Sequence, residues 1–172
     1  MDVFDSLPWA WPLAAGLVGL QIGSFINVLV WRLPQMMQHQ WQREFALANQ
    51  QQDIELPVFN LAMPRSHCTT CHTPLRARDL VPVLSFLWLK GRCAHCEAKV
   101  SWRYPLVETV VALVWAASAW YAGMSVTALA WAVFATVLIA LALIDADTML
   151  LPDSLTLPLM WVGMLCASLG WI

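Results

Sequence analysis

Residues 126–144 read Val-Thr-Ala-Leu-Ala-Trp-Ala-Val-Phe-Ala-Thr-Val-Leu-Ile-Ala-Leu-Ala-Leu-Ile, nineteen positions without a charge, and run into Asp145-Ala-Asp147. A helix needs about 20 mostly apolar residues to cross hydrocarbon ~30 Å thick, so this stretch is predicted to span a membrane. Three further windows have the same character: Leu13 to Trp31, Pro105 to Tyr121 with Glu108 near its start, and Ser154 to the end. Trp9, Trp11 and Trp31 flank the first, and Trp102, Tyr104, Trp120 and Tyr121 flank the second, where interfacial anchors belong. The composition agrees, with 60% hydrophobic and only 12% charged residues, whereas soluble domains carry roughly 25% charge. A nucleic-acid binder, a disordered tail and a secreted disulfide scaffold are all excluded as classes.

All nine basic residues fall between Arg32 and Arg103. Against the five acids of that stretch they leave it at +4, while the rest of the chain is purely acidic. The positive-inside bias therefore predicts a cytoplasmic loop 32–104. The amino terminus with Asp2 and Asp5 then faces outward, as does the Gly123-Met-Ser125 connection, and Asp145, Asp147 and Asp153 emerge on the cytoplasmic side. Within the loop, the glutamine-rich stretch 35–52 carries Met37, Trp41, Phe45 and Ala48 at helical spacing, which predicts an amphipathic helix lying on the membrane surface. The apolar run Leu80 to Leu89 is half a bilayer long and is expected in a small core or at the interface. Anionic lipid is a natural partner for the loop's excess charge.

The strongest chemical pattern is Cys68-Thr-Thr-Cys71, followed after 21 residues by Cys93-Ala-His-Cys96. Two such knuckles can point four soft thiolates at one ion, and the cytosolic side disfavours disulfides, so a structural zinc site is expected on Cys68, Cys71, Cys93 and Cys96. Free thiols or a redox pair are the alternatives, and His67, His72 and His95 stand beside the knuckles as surface residues or substitute ligands. The predicted fold class is thus an all-α polytopic membrane protein, with about four transmembrane helices and a small zinc-binding cytosolic domain between the first two. Its domains are expected as 1–31 (N-terminal segment and first span), 32–104 (cytosolic loop with the knuckles) and 105–172 (spans two to four).

Among the acids, Asp145 closes a continuous apolar run and is expected to sit deepest, where desolvation suits a carboxyl to acid or base work. Asp147 reads as a solvated helix-end residue, and Asp153, after Pro152, as an N-cap. Glu108 enters span two from the same side and could pair with Asp145 or with a substrate group. Gly19 and Gly23 are four apart, a spacing that lets another helix approach closely, and Gln21, Ser24 and Asn27 are expected to bond between helices.

These residues resemble a known family, the prepilin peptidases or type IV leader peptidases. The resemblance rests on five ordered stretches: Gly23-Ser-Phe-x-Asn27-Val with Arg32-Leu-Pro34; Pro64-Arg-Ser-x-Cys68-x-x-Cys71; Gly91-x-Cys93-x-x-Cys96; Arg103-Tyr-Pro-Leu-Val-Glu108; and Leu143-Ile-Asp145-Ala-Asp-x-x-Leu-Leu-Pro-Asp153. It implies a multi-pass bacterial inner-membrane aspartic protease that cuts the basic leader of prepilins or pseudopilins for type IV pili and type II secretion. It also implies N-methylation of the new terminus with S-adenosylmethionine, associated with the cysteine loop. On this resemblance Asp145 corresponds to the first catalytic aspartate. The second lies in the family's Gly-x-Gly-Asp motif, which this sequence does not contain, so the expectation is a chain holding one of the two. No Gly-rich fingerprint marks the S-adenosylmethionine site, and the pattern carries no oligomeric assignment. A zinc-stapled membrane module without catalysis, or a degenerate fragment, in pilus or type II secretion assembly is the alternative reading.

Overall fold

In the computed structural model, residues 8–49 and 59–171 are described. The chain is helical, with α1 at Ala10–Ala48, α2 at Leu84–Trp88, α3 at Arg103–Ala122, α4 at Val126–Thr148 and α5 at Asp153–Ser168. Among the described residues there is no strand beyond two isolated antiparallel bridges, His67 with Pro74 and Arg92 with Lys99. Helices α1, α3 and α4 are long and apolar enough to cross a membrane. The sixteen-residue α5 reaches only about 24 Å, short of ~30 Å of hydrocarbon, so the described residues contain three such spans where the sequence suggested about four.

Helix α1 is longer than expected. It passes through Pro34 without interruption, and its 39 residues measure about 58 Å, twice the hydrocarbon thickness. The amphipathic stretch is therefore the continuation of span one and not a separate surface helix; residues 50–52 of that stretch lie outside the described residues, as do Asp2 and Asp5. Proline removes a helix donor and crowds the preceding turn. Beside that gap the Gln35 side-chain amide donates to the Trp31 carbonyl at 2.9 Å. Just before it, the buried Arg32 turns its guanidinium onto the Asn60, Leu61 and Pro64 carbonyls and lies 5.8 Å from the Phe59 ring, tying the start of the cysteine loop to α1.

The core is a seam where α1, α3 and α4 meet: Ile26, Leu29 and Val30 against Val107 and Val111, with Ala140 and Ile144. Small residues make the α1–α3 contact close. A Cβ on Gly23 would fall 2.7 Å from the Glu108 Cα, and one on Gly19 would fall 2.8 Å from the Ala112 Cα. Asn27 donates across the same interface to the Tyr104 carbonyl at 3.1 Å, whereas Gln21 is exposed. Gly23→Ala is accordingly expected to push the helices apart at a cost of about 1–3 kcal/mol, lowering Tm in detergent. Gly163→Ala, whose Cβ would meet nothing within 4 Å, should leave Tm unchanged or slightly raised.

Two side-chain contacts set the antiparallel register of α3 on α4. Arg103 grips Asp147 with two bonds of 2.7 and 2.8 Å at one end, and Trp115 donates to Thr136 at 3.0 Å further along. The turn between them is short: Gly123 takes φ +62° and Ser125 caps α4 by accepting the Ala128 N–H at 3.1 Å.

Candidate functional site

Each cysteine knuckle closes on itself by the same local pattern. The Cys68 N–H donates to Thr73 O and the His72 N–H returns to Cys68 O; likewise Cys93 N–H donates to Ala98 O and Glu97 N–H returns to Cys93 O. His72 and Glu97 hold equivalent left-handed positions, with φ of 54° and 57°. The two turns bring all four Sγ atoms within 4.8 Å of one another. With zinc–sulfur bonds of ~2.3 Å a tetrahedral ion has sulfur–sulfur edges of roughly 3.8 Å, and the Cys68 and Cys96 sulfurs are 3.8 Å apart. The donor set fits a metal ion.

The thiols are not equivalent. Backbone N–H groups of Cys71 and Thr70 aimed at its sulfur lower Cys68 to about 6. Thr73, through its hydroxyl and backbone N–H, lowers Cys71. The Ala98 N–H also acts to lower Cys96, but burial and the three neighbouring thiols push it up to about 12. Crowded thiolates repel one another, which holds the proton of Cys96 to higher pH than those of Cys68 and Cys71.

The carboxylates are arranged differently from the expectation. Asp145 is exposed, and its backbone carbonyl accepts the Met149 N–H at 2.8 Å where α4 ends. Counting along the register fixed by Arg103–Asp147 and Trp115–Thr136, Glu108 lies about one turn deeper, ~4.5 Å. Glu108, and not Asp145, is therefore the deep and buried acid, because Asp145 has already reached the last turn of α4. Glu108 does not reach Asp145: its Oε2 accepts the Val83 N–H at 2.7 Å, across from α3 to the segment preceding α2. Asp147 is engaged by Arg103. Asp153 is the first residue of α5, with Pro152 in the N-cap position, so it stands within the first turn and not before it.

A family model described as the bacterial peptidase A24 N-terminal domain matches residues 17–122, and one described as the type IV leader peptidase family matches residues 132–172. The chain belongs to the type IV leader peptidase family. Among similar proteins, the prepilin leader peptidase/N-methyltransferase of Aeromonas hydrophila is 44% identical over 172 residues, 99% of this chain and 59% of that protein. The proteins of the same name from Neisseria gonorrhoeae and Pseudomonas aeruginosa are 44% and 40% identical, over 92% and 99% of this chain and 56% and 59% of their own length. The chain thus spans about three-fifths of the length of these curated relatives. No solved structure gives a significant match.

For this member of the leader peptidase family, the four cysteines lie in the first matched region and Asp145 in the second. The sequence gives no sign of the pairing of Glu108 with Val83, of Asp147 with Arg103, or of the anchoring of the loop by Arg32. Separations of 25, 44 and about 30 residues put those partners beyond any local periodicity.

Proposed function

We propose that this protein cleaves the basic leader from type IV prepilins or pseudopilins at the cytoplasmic face of the bacterial inner membrane and methylates the amino terminus so exposed. The observation that carries this reading is 44% identity through 99% of the chain to a protein named prepilin leader peptidase/N-methyltransferase. The charge distribution supports the orientation, with loop 32–104 in the cytoplasm and the amino terminus in the periplasm. The domains follow: residues 1–31 hold the N-terminal segment and first span, 32–104 the methyltransferase-associated loop, and 105–172 the N-terminal part of the peptidase domain.

In this reading Asp145 is one carboxylate of an aspartic dyad. One member must be ionised to take a proton from the attacking water, and the other must be protonated to support the carbonyl oxygen. An exposed carboxyl on the last turn of α4 is accessible to substrate and to a second carboxylate. Asp147 does not match the family's second motif, and its two oxygens pair with Arg103. Cys68, Cys71, Cys93 and Cys96 would hold zinc, which with four protein ligands staples the loop and offers no open position for water. S-adenosylmethionine, when bound, supplies an electrophilic methyl group to the amine. The test is mass spectrometry of a purified prepilin incubated with membranes carrying this protein and with S-adenosylmethionine. The expected products are a chain shortened by its leader and then one carrying a methyl group. An unchanged prepilin would mean that the peptidase site is incomplete in these residues, which hold one of the two aspartates, or that the chain is the non-catalytic membrane module.

A further inference from the structure

A cavity of about 430 Å³ lies between the inner ends of α1 and α3 and the underside of the cysteine loop. That is the size range of small-molecule sites, ~300–1,000 Å³. Ser24 and Asn27 of α1, Tyr104 and Glu108 of α3, and Asp79 and Phe86 of the loop contribute to its lining. Its two carboxylates differ. Asp79 is answered locally, accepting the Arg76 N–H at 3.1 Å and lying 3.8 Å from the Arg78 guanidinium. Glu108 is 8% exposed, and among the described residues no cation pairs with it; the ion pairs present are Arg78–Asp79, Arg92–Glu97 and Arg103–Asp147.

Arg32, Arg92 and Lys99 also line the cavity, but Arg32 directs its guanidinium to three backbone carbonyls, Arg92 pairs with Glu97 at 3.8 Å, and neither Arg92 nor Lys99 comes within ion-pair distance of Glu108. Glu108 bonds the Ser24 side chain and the Val83 N–H, and Val83 has φ +58°, a costly conformation for a β-branched side chain and of the kind that collects at functional sites. A buried carboxylate without a counter-charge is expensive unless something supplies one. Aromatic walls from Trp31, Phe86 and Tyr104 suit a cation as well.

We infer that this cavity binds an organic cation and that Glu108 recognises its positive charge. The inference rests on the methyl-transfer reading, in which both reactants present such a cation: the sulfonium or ammonium of the donor, and the amino terminus of the cleaved pilin before it loses its proton. Glu108 would position one of them beneath the loop.

The test measures binding to the whole protein in nanodiscs of five probes: S-adenosylmethionine, S-adenosylhomocysteine, 5′-methylthioadenosine, and a mature pilin amino-terminal peptide with its amine free or acetylated. Glu108→Gln keeps an acceptor for the Val83 N–H but removes the charge. It is expected to weaken a cationic probe roughly tenfold to hundredfold and leave its uncharged counterpart unchanged, while Glu108→Asp retains part of the affinity. Loss for S-adenosylmethionine alone identifies the sulfonium, loss shared with S-adenosylhomocysteine identifies the donor's ammonium, and loss for the free-amine peptide identifies the pilin terminus. Unchanged binding of all five, or equal losses that include the uncharged probes, would overturn the inference. Wild-type protein that binds the free-amine peptide but not S-adenosylmethionine would refute the methyltransferase reading and leave the cavity assignment standing. Wild-type protein that binds none of the five would refute both.

Discussion

Asp145→Asn is expected to reduce leader cleavage by at least ~10²-fold and up to ~10⁴-fold, the range for losing a positioned acid–base group. The substitution is nearly isosteric, and Asp145 is exposed on the last turn of α4, so folding and metal content should not change. Methyl transfer to a precleaved pilin should persist, which separates the two activities in one variant. Asp147→Asn is the matched control. It breaks the bidentate pair with Arg103, whose partners are about two-fifths exposed, at a cost of about 0.2–1 kcal/mol. Its cleavage rate should stay near that of the wild type. Because one dyad carboxyl must be ionised and the other protonated, the wild-type rate should be bell-shaped in pH, with limits that belong to the pair. Prepilin mass spectra across a pH series check both points, and cleavage surviving in Asp145→Asn would remove Asp145 from the reaction.

Cys93→Ser should abolish stoichiometric zinc binding and open the loop to proteolysis. Structural zinc sites contribute about 10–16 kcal/mol in small domains. Apart from the bonds from Arg32 and to Glu108, the loop has a small core: Leu84, Leu87 and Trp88 of α2 are exposed, with Trp88 at 87%, and between residues 59 and 101 only Pro82 and Cys93 are buried. Proton linkage gives a second check. In the metal-free loop Cys68 loses its proton above about 6, whereas Cys96 keeps its own until about 12. Loading a metal at neutral pH must therefore displace the Cys96 proton, so affinity rises with pH and falls further below pH about 6 as Cys68 protonates too. Metal analysis after dialysis against chelator at pH 5 and pH 8 should show stripping at the lower value. Methyl transfer should fall with zinc content more steeply than cleavage does. Full retention of metal by Cys93→Ser would mean the four sulfurs do not act as one site.

The parts of this protein legible in its sequence are those whose physics is local. A span needs only length and apolarity, so the windows at Pro105–Tyr121 and Val126–Ile144 agree with α3 and α4 to within a few residues. Two-residue knuckles close through bonds no more than five residues apart, so the spacing of Cys68, Cys71, Cys93 and Cys96 is enough to announce a metal-type cluster. Gly19 and Gly23 signal a close helix contact because nothing but a missing side chain permits it. Tertiary structure alone decided the roles of the polar groups. Whether an acid on an apolar helix is buried depends on the register of its neighbours, and α3 on α4 is registered by Arg103 with Asp147 and Trp115 with Thr136. That register sinks Glu108 under the loop, leaves Asp145 exposed at the helix end and ties up Asp147. At Pro34, Gln35 bonds locally to Trp31 one turn back, whereas the loop carbonyls gathered by Arg32 are reached only once the chain has folded back on itself.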